Sequence, residues 1–427
     1  MKVNNYRNTK GFIPSENRTI KKLTEKDVLK FGLSRKGMEH VETLNDLKKY
    51  PPNIVVANCI KNITFIQNHY KKQVLKKRNN YVMSLGIYQQ LHYDKERNFK
   101  ILKPSKIKFK NIYKPYNGEN LDGKTLFVSR TGGVGDLIFI LPNLTYLKNK
   151  YPTCKIKFAC GPQYQSMIEN WNCVDELINL PFELRHIIKS DYHAFFEGVI
   201  ERCKESETKN AHNLFSEWLG LNLDDKYLIP HQIPKRNKIH ECQKILNNKF
   251  NLKEKEFILL QMKASSPIRT PDPNWWLKII NELTKRNYNI LISDSGTETE
   301  GIDIYLDYVN DKDKVFNFAK YSKSLDYCIA MASLSQMTLS IDSSLIHIAA
   351  SVGVKSFGVY GPFPGEIRLK TYPKANWVDA DTECSPCFTH GIKPCKKAQL
   401  RGIKYSPCYE QIDINVLCDK IEEVYNE

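Results

Sequence analysis

The chain has 427 residues, with 64 Lys+Arg against 47 Asp+Glu, a formal net charge of +17 and twelve cysteines. That length exceeds what one hydrophobic core serves, so two or three domains are expected, and 41% hydrophobic with 26% charged residues excludes wholesale disorder. No run approaches the roughly 18 uninterrupted apolar residues of a bilayer span, and the opening MKVNNYRNTKGF lacks the apolar core of a secretory signal, so a cytoplasmic protein with reduced cysteines is the expectation.

The charge is unevenly placed. Residues 1–120 hold 26 basic and 9 acidic residues, while the remaining 307 balance at 38 of each. This reads as a basic N-terminal extension, residues 1–117, joined to an electrically ordinary α/β body. Within the extension, residues 21–50 and 55–92 carry patterns compatible with helices, as in DVLKFGL and NITFIQNHYKKQVLKK. The run ILKPSKIKFKNIYKPY (101–116) alternates Lys with Ile, Phe or Tyr and predicts an exposed strand or extended linker. The plainer reading of this basic surface is a solvated face. The functional alternative is attachment to an anionic polymer or membrane surface. No RNP, KH or zinc-finger pattern accompanies the charge, so nucleic acid is not the expected partner.

From Lys124 the character changes. TLFVSR (125–130) predicts a buried strand, Thr131-Gly132-Gly133-Val134-Gly135-Asp136 a glycine loop, LIFILPNLTYLKNKYP a helix and IKFACG (156–161) the next strand. That order opens a doubly wound α/β domain. Glycines there let backbone N–H groups approach a ligand at a helix N-terminus, but the spacing is neither a dinucleotide fingerprint nor a P-loop. Asp136 follows the loop directly. It reads either as a carboxylate at the mouth of a cleft, taking a proton from a bound hydroxyl, or as a helix N-cap. Local chemistry leaves both readings open.

A second α/β pattern begins near residue 255: EFILLQM as strand, KASSPIRTPDPNWW as loop, WLKIINELTKR as helix, YNILISD as strand. Its most telling segment is MTLSIDSSLIHIAASVGVKSFGVYGP, a strand, a polar turn, a short helix and another strand. Ser343, Ser344 and free N–H groups at that helix start make a diphosphate seat. Asp342 can accept hydrogen bonds from sugar hydroxyls. His347, one turn into the helix, reads by default as a packing residue. Two such halves suggest a cleft enzyme whose substrates enter from opposite sides.

The pairing of SRTGGVGDLIFILPNLTYLKNKYP with SLDYCIAMASLSQMTLSIDSSLIHIAASVGVKSFGVYGP resembles glycosyltransferase family 9, the family of ADP-heptose:lipopolysaccharide heptosyltransferases. The first block is similar to the family pattern R-x-G-x-x-G-D-x-x-x-x-x-P, matched by Arg130, Gly132, Gly135, Asp136 and Pro142. The second is similar to D-[ST]-G-x-x-H-x-A-A, and the cysteine-bearing tail also resembles that of many members. The resemblance covers residues 121–427 and implies the GT-B fold: two Rossmann-like domains facing a cleft, an acceptor domain over 118–235 and a nucleotide-sugar domain over 236–427. It implies inverting, metal-independent transfer of a heptose-like sugar from a nucleotide-diphosphate donor to a glycan or glycolipid hydroxyl, with no cofactor required.

By the same carry-over Asp136 is the general base, and Arg130, Thr131, Gly132, Gly133 and Gly135 form the acceptor loop. Ser343, Ser344 and the N–H groups of Leu345 and Ile346 hold the departing diphosphate, beside Asp342 and His347. Arg269, with Lys263 in reserve, is the basic donor residue, and Glu298 a candidate ribose contact. Three departures stand out. Ser344 replaces the usual Gly, the segment from Asp136 to residue 235 is short for an acceptor domain, and the basic extension is not a standard family part. Two alternatives therefore accompany the transferase: a nucleotide-sugar epimerase, and a non-catalytic GT-B scaffold that holds an anionic partner through its basic extension.

Cys384, Cys387, Cys395 and Cys408 follow a C-x2-C-x7-C-x12-C spacing. Four thiolates suit a structural zinc, with His390 a substitute ligand. A reduced, loop-stabilising cluster is the competing reading, because a second C-x2-C is missing.

Overall fold

The structure is a computed structural model and describes residues 40–49, 52, 54–67, 71–85, 87–88, 102–294, 299–389, 391 and 393–427. The chain divides into two compact units, one formed by residues 1–132 and 143–224, the other by residues 133–142 and 225–427.

In the first unit, the segment 55–92 is mostly strand where it is described, with helix only at Leu85, Ile87 and Tyr88. It forms strands β1 (Ile54–Cys59), β2 (Ile63–Gln67), β3 (Lys71–Leu75) and β4 (Asn80–Ser84). The β-branched residues of IVVANC and NITFI lose side-chain freedom against a helical turn but fit a pleated sheet, and β2 and β3 close as an antiparallel hairpin. The segment DVLKFGL lies outside the described residues. The alternating run 101–116 contains only a short strand, β5 (Leu102–Pro104), and then a single 3-10 turn at Phe109–Asn111. Instead of an exposed linker it supplies a core residue: Phe109 is buried, its ring edge-on to Phe195 at 5.0 Å.

The parallel sheet of this unit uses β6 (Thr125–Ser129), β7 (Lys155–Cys160) and β8 (Glu176–Asn179), followed by the short strand β9 (Phe182–Glu183) and by β10 (Tyr192–Phe195). Its order is β10-β6-β7-β8, all parallel. Helix α1 (Val134–Lys150) connects β6 to β7, and its assignment passes from the second unit to the first after Pro142. β9 pairs with β4, completing an antiparallel sheet of order β5-β1-β4-β9. Ile54, Val56 and Val82 of that sheet share one hydrophobic cluster with Phe109, Phe127, Phe182 and Phe195. The described part of residues 1–117 is thus built into the core of the first unit.

The second unit holds a six-stranded parallel sheet. Its strands are β11 (Phe257–Gln261), β12 (Asn289–Ile292), β13 (Val315–Asn317), β14 (Met337–Ile341), β15 (Lys355–Tyr360) and β16 (Ala375–Asp379), in the order β13-β12-β11-β14-β15-β16. FILL and MTLSI are buried along their whole length, as expected of strands covered on both faces. Helix α2 (Pro273–Lys285) starts on Asp272, which accepts the Asn274 N–H, with Pro273 in the first turn. Trp276, Ile279, Ile280 and Leu283 of α2 join the sheet residues in one core, and helix α4 (Ile414–Asn426) adds Leu417, Ile421 and Val424. Between β14 and β15 lies helix α3 (Ser344–Ser351). Among the described residues no helix is long and apolar enough to cross a membrane.

Candidate active site

In an open parallel sheet, ligands bind beyond the carboxyl ends of the strands where the strand order reverses. In the second unit that place lies between β11 and β14, because β12 and β13 continue to one side and β15 and β16 to the other. The loop after β11 carries Lys263 and Arg269, and the loop after β14 carries Asp342 and Ser343. Of the expected donor residues, Arg269 and Asp342 meet there.

Arg269 ends a 3-10 turn that Ser266 caps. Its Nη1 donates to the Asp342 carbonyl at 3.0 Å and lies 3.4 Å from the Asp342 carboxylate, while Nη2 donates to Ser265 Oγ at 3.0 Å. Asp342 is buried. Desolvation alone would push its carboxyl up, but the charges of Arg269 and Arg368 outweigh it and hold the pKa below the ordinary range.

The helix start differs from expectation. The Leu345 N–H, expected to be open to a diphosphate, donates to Gln261 Oε1 at 3.0 Å, and the hydroxyls of Ser343 and Ser344 donate to the same oxygen at 2.9 and 3.3 Å. Gln261 is the last residue of β11, and its amide oxygen occupies the anion-seeking end of α3. Sequence reasoning missed it. The available signal was a polar side chain closing an otherwise apolar strand, FILLQ.

His347 is buried, its Nδ1 3.0 Å from the Tyr372 hydroxyl and its ring edge-on to Phe139 at 4.7 Å. Burial lowers its pKa to about 3, against a smaller upward pull from Asp342, so the imidazole is neutral. Lys263 donates its backbone N–H to Asp294 Oδ1 at 3.3 Å. Glu298 and His390 lie outside the described residues.

In the glycine loop, Arg130 is buried and its guanidinium is engaged inside the first unit. It donates to the Phe196 carbonyl at 2.7 Å, to the Gly132 carbonyl at 3.1 Å and to Glu201 at 2.5 Å. Thr131 and Gly132 are half-buried, and a Cβ on Gly132 would sit 3.5 Å from the Tyr164 hydroxyl. Gly133 has φ +81°, and a Cβ there would lie 2.1 Å from Asp136 Oδ2. A Cβ on Gly135 would meet the His347 ring at 2.8 Å. Asp136 is the third residue of α1, half-buried, with its carboxylate doubled back over Gly133. It stands inside the first turn, where the dipole favours a negative charge, and is not the residue that caps the helix.

Of the two readings of the cysteine tail, the described residues show no metal-binding group, although burial raises the Cys408 thiol pKa and Cys384, Cys387 and Cys395 all lie near enough to push it up further. Cys384, Cys387, Cys395 and Cys408 are free thiols, and among the described residues no group of three or more His, Cys, Asp or Glu side chains is placed to hold a metal ion. The single C-x2-C fixes only two thiols on one turn. Cys395 Sγ instead accepts the Ala398 N–H at 3.4 Å as the cap of helix Lys396–Leu400, and buried Cys408 takes the Ser406 hydroxyl at 3.3 Å.

Parallel α/β sheets in both units, the second with ligand-suited loops at its switch point, define the α/β class of GT-B type. Residues 200–397, a little under half of the chain, match the family model of glycosyltransferase family 9 (heptosyltransferase). The matched residues include Arg269, Asp342 and α3 but not the glycine loop. A family 9 glycosyltransferase from Veillonella parvula is similar in structure, at 15% identity and TM-score 0.56, over 72% of this chain and 99% of that one. The E. coli ADP-heptose LPS heptosyltransferase II is similar at 15% identity and TM-score 0.51, over 71% and 98%. Both show the shared fold. A search of curated proteins by sequence gives no match.

Proposed function

We propose that this chain transfers a heptose-like sugar from a nucleoside-diphosphate donor to a hydroxyl of a glycan or glycolipid, with inversion at the anomeric carbon. The observation that carries the reading is the meeting of Arg269, Asp342, Ser343 and the start of α3 at the β11/β14 switch point, within residues matched to the heptosyltransferase family. Arg269 and the hydroxyls and N–H groups at the start of α3 neutralise the diphosphate, and Asp342 holds Arg269 in place. Ribose contacts fall to Asp342 or to the loop that includes Glu298.

In the transfer step the acceptor oxygen forms a bond to the anomeric carbon while the bond from that carbon to the diphosphate oxygen breaks. The electron pair leaves on the nucleoside diphosphate, and the hydroxyl proton passes to Asp136. Charge on the leaving group is held by donors already in position, which avoids reorganisation at the moment of reaction. The acceptor is held by the loop Arg130–Gly135, where Arg130 shapes the backbone and Thr131 and the glycines line it. The basic surface of the first 117 residues docks on an anionic acceptor or on the inner face of the membrane, the chain working from the cytoplasm. The family match favours transfer over the epimerase and scaffold alternatives.

The name of the E. coli relative supplies the first donor to test, ADP-heptose. Asp136→Asn should abolish transfer from the productive nucleotide sugar while leaving stabilisation by the free nucleoside diphosphate unchanged. A rate within a few-fold of wild type would remove Asp136 as the base.

A further inference from the structure

The first unit has its own switch point. Its sheet runs β7 and β8 to one side of β6 and returns β10 on the other, so the loops after β6 and β10 diverge from the carboxyl ends of two adjacent strands. Phe195 is in register with Ser129, which puts Glu197, two residues past the end of β10, level with the start of the glycine loop. The two loops are tied together. Arg130 donates to the Phe196 carbonyl at 2.7 Å, and the Ser129 hydroxyl donates to Glu197 Oε1 at 3.1 Å. Gly198 has φ +81°, and a Cβ there would sit 2.9 Å from the Arg202 side chain, so the bend after Glu197 requires glycine.

The other carboxyl oxygen is the unusual one. Glu197 Oε2 is buried and has no hydrogen-bond partner among the described residues. A buried acceptor left unmatched is costly and uncommon in a folded protein. The nearby cation acts on it through charge, while Arg130 donates hydrogen bonds to Glu201, to the Phe196 carbonyl and to the Gly132 carbonyl. Among the charged and titratable groups that feel Glu197 are Arg130, Glu201 and Tyr113. Arg130 bonds Glu201 and also acts by charge on Glu197, so a second anion brought into this crevice would face two carboxylates beside one guanidinium, whereas a neutral O–H would find an acceptor waiting.

We propose that Glu197 is an acceptor-recognition residue, its Oε2 receiving a hydrogen bond from an uncharged sugar hydroxyl bound at the β6/β10 switch point and discriminating against an anionic group there. The assignment rests on the reading above that the acceptor binds the glycine loop. It adds the residue that reads the acceptor and the chemistry that residue selects. Burial, with a further push from Glu201 and a partial offset from Arg130 and Ser129, raises the carboxyl to about 7, so the strength of this contact should change across neutral pH.

The test uses the full chain, the Glu197→Gln and Glu197→Ala variants, and a panel of methyl glycosides with their uronate counterparts as probes. Binding is read by saturation-transfer NMR, with ADP-induced melting shifts and slow ADP release from ADP-heptose in water measured alongside. Wild type should bind at least one methyl glycoside in preference to its uronate, more tightly by several-fold at pH 8 than at pH 6. Glu197→Gln should weaken that binding about tenfold and flatten the pH dependence, with the ADP shift unchanged; Glu197→Ala should do at least as much. Equal binding by the variants, a preference for uronates, or no glycoside binding by wild type would overturn the proposal. Loss of both the ADP shift and ADP release in wild type would instead sink the transferase reading, and the glycoside arm would still report on Glu197.

Discussion

Gln261 closes the helix start that Leu345 would otherwise leave open: its Oε1 accepts the Leu345 N–H at 3.0 Å and collects the hydroxyls of Ser343 and Ser344. An uncharged amide oxygen therefore stands where a phosphate oxygen is proposed to bind. Gln261→Ala should cost the free protein roughly 1–2 kcal/mol through lost hydrogen bonds, yet tighten ADP about threefold or more by removing the competitor. Thermal melts and calorimetric titration read the two effects separately, and weaker ADP binding would show instead that Gln261 orients the serines for the ligand.

Arg269 and Asp342 form a pair with side-chain exposures of 22% and 4%. Removing the cation strands a buried carboxylate, which typically costs about 3 kcal/mol or more. Arg269→Gln should show that loss in chemical denaturation and lower ADP affinity at least tenfold. Arg269→Lys should recover part of the stability but little of the affinity, because a single ammonium cannot reach Asp342 and Ser265 together.

Gly133 and Gly135 differ in what they protect. A Cβ at Gly133 must displace the Asp136 carboxylate and adopt an unfavourable φ of +81°, so Gly133→Ala should lower transfer at least a hundredfold with ADP binding intact. A Cβ at Gly135 presses on the His347 ring at 2.8 Å. Gly135→Ala should therefore destabilise the second unit, seen as a lower melting temperature.

Glu197 makes a stability prediction that requires no substrate. Its carboxyl titrates near 7 in the fold against 4.5 in the unfolded chain, so between those values the native state holds a proton the unfolded state has lost. Stability from this group is present at low pH and falls as pH rises through 7, by on the order of 3 kcal/mol in total. Glu197→Gln lacks that loss. The melting temperature of the variant relative to wild type should rise from pH 5 to pH 8, and a constant difference would remove the buried-carboxyl assignment.

The basic surface can be tested without deleting residues 1–117, which would strip Ile54, Val56, Val82 and Phe109 from the core of the first unit. Lys76, Lys77 and Arg78 are exposed together in the turn between β3 and β4. Changing all three to Glu should leave the melting temperature within about 2 °C, since exposed charges contribute little to stability. It should weaken binding to vesicles with anionic headgroups at low salt, with the difference closing as salt rises. Unchanged vesicle binding at low salt would leave this turn a solvated surface.

The order of strands and helices after residue 124 was readable directly. Apolar runs such as TLFVS, FILL and MTLSI, with glycine or polar turns behind them, have short-range signatures that hardly depend on the rest of the chain. The strand, polar turn and short helix around the DSS segment were readable in the same way, but not the occupation of the α3 start by Gln261. The strands of residues 54–84 were misread as helices because mixed Lys and apolar spacing fits both periods, and only pairing with β9 and the aromatic cluster around Phe127 selects the sheet. Gln261 and Glu197 were invisible for a different reason. Each matters through a partner brought close by strand order, Gln261 through residues about eighty positions away and Glu197 through Ser129 and Arg130 across a parallel pair. Local sequence carries backbone preference and burial period, but which strand lies beside which is decided by the packing of the whole sheet, and that adjacency gives these two side chains their chemistry.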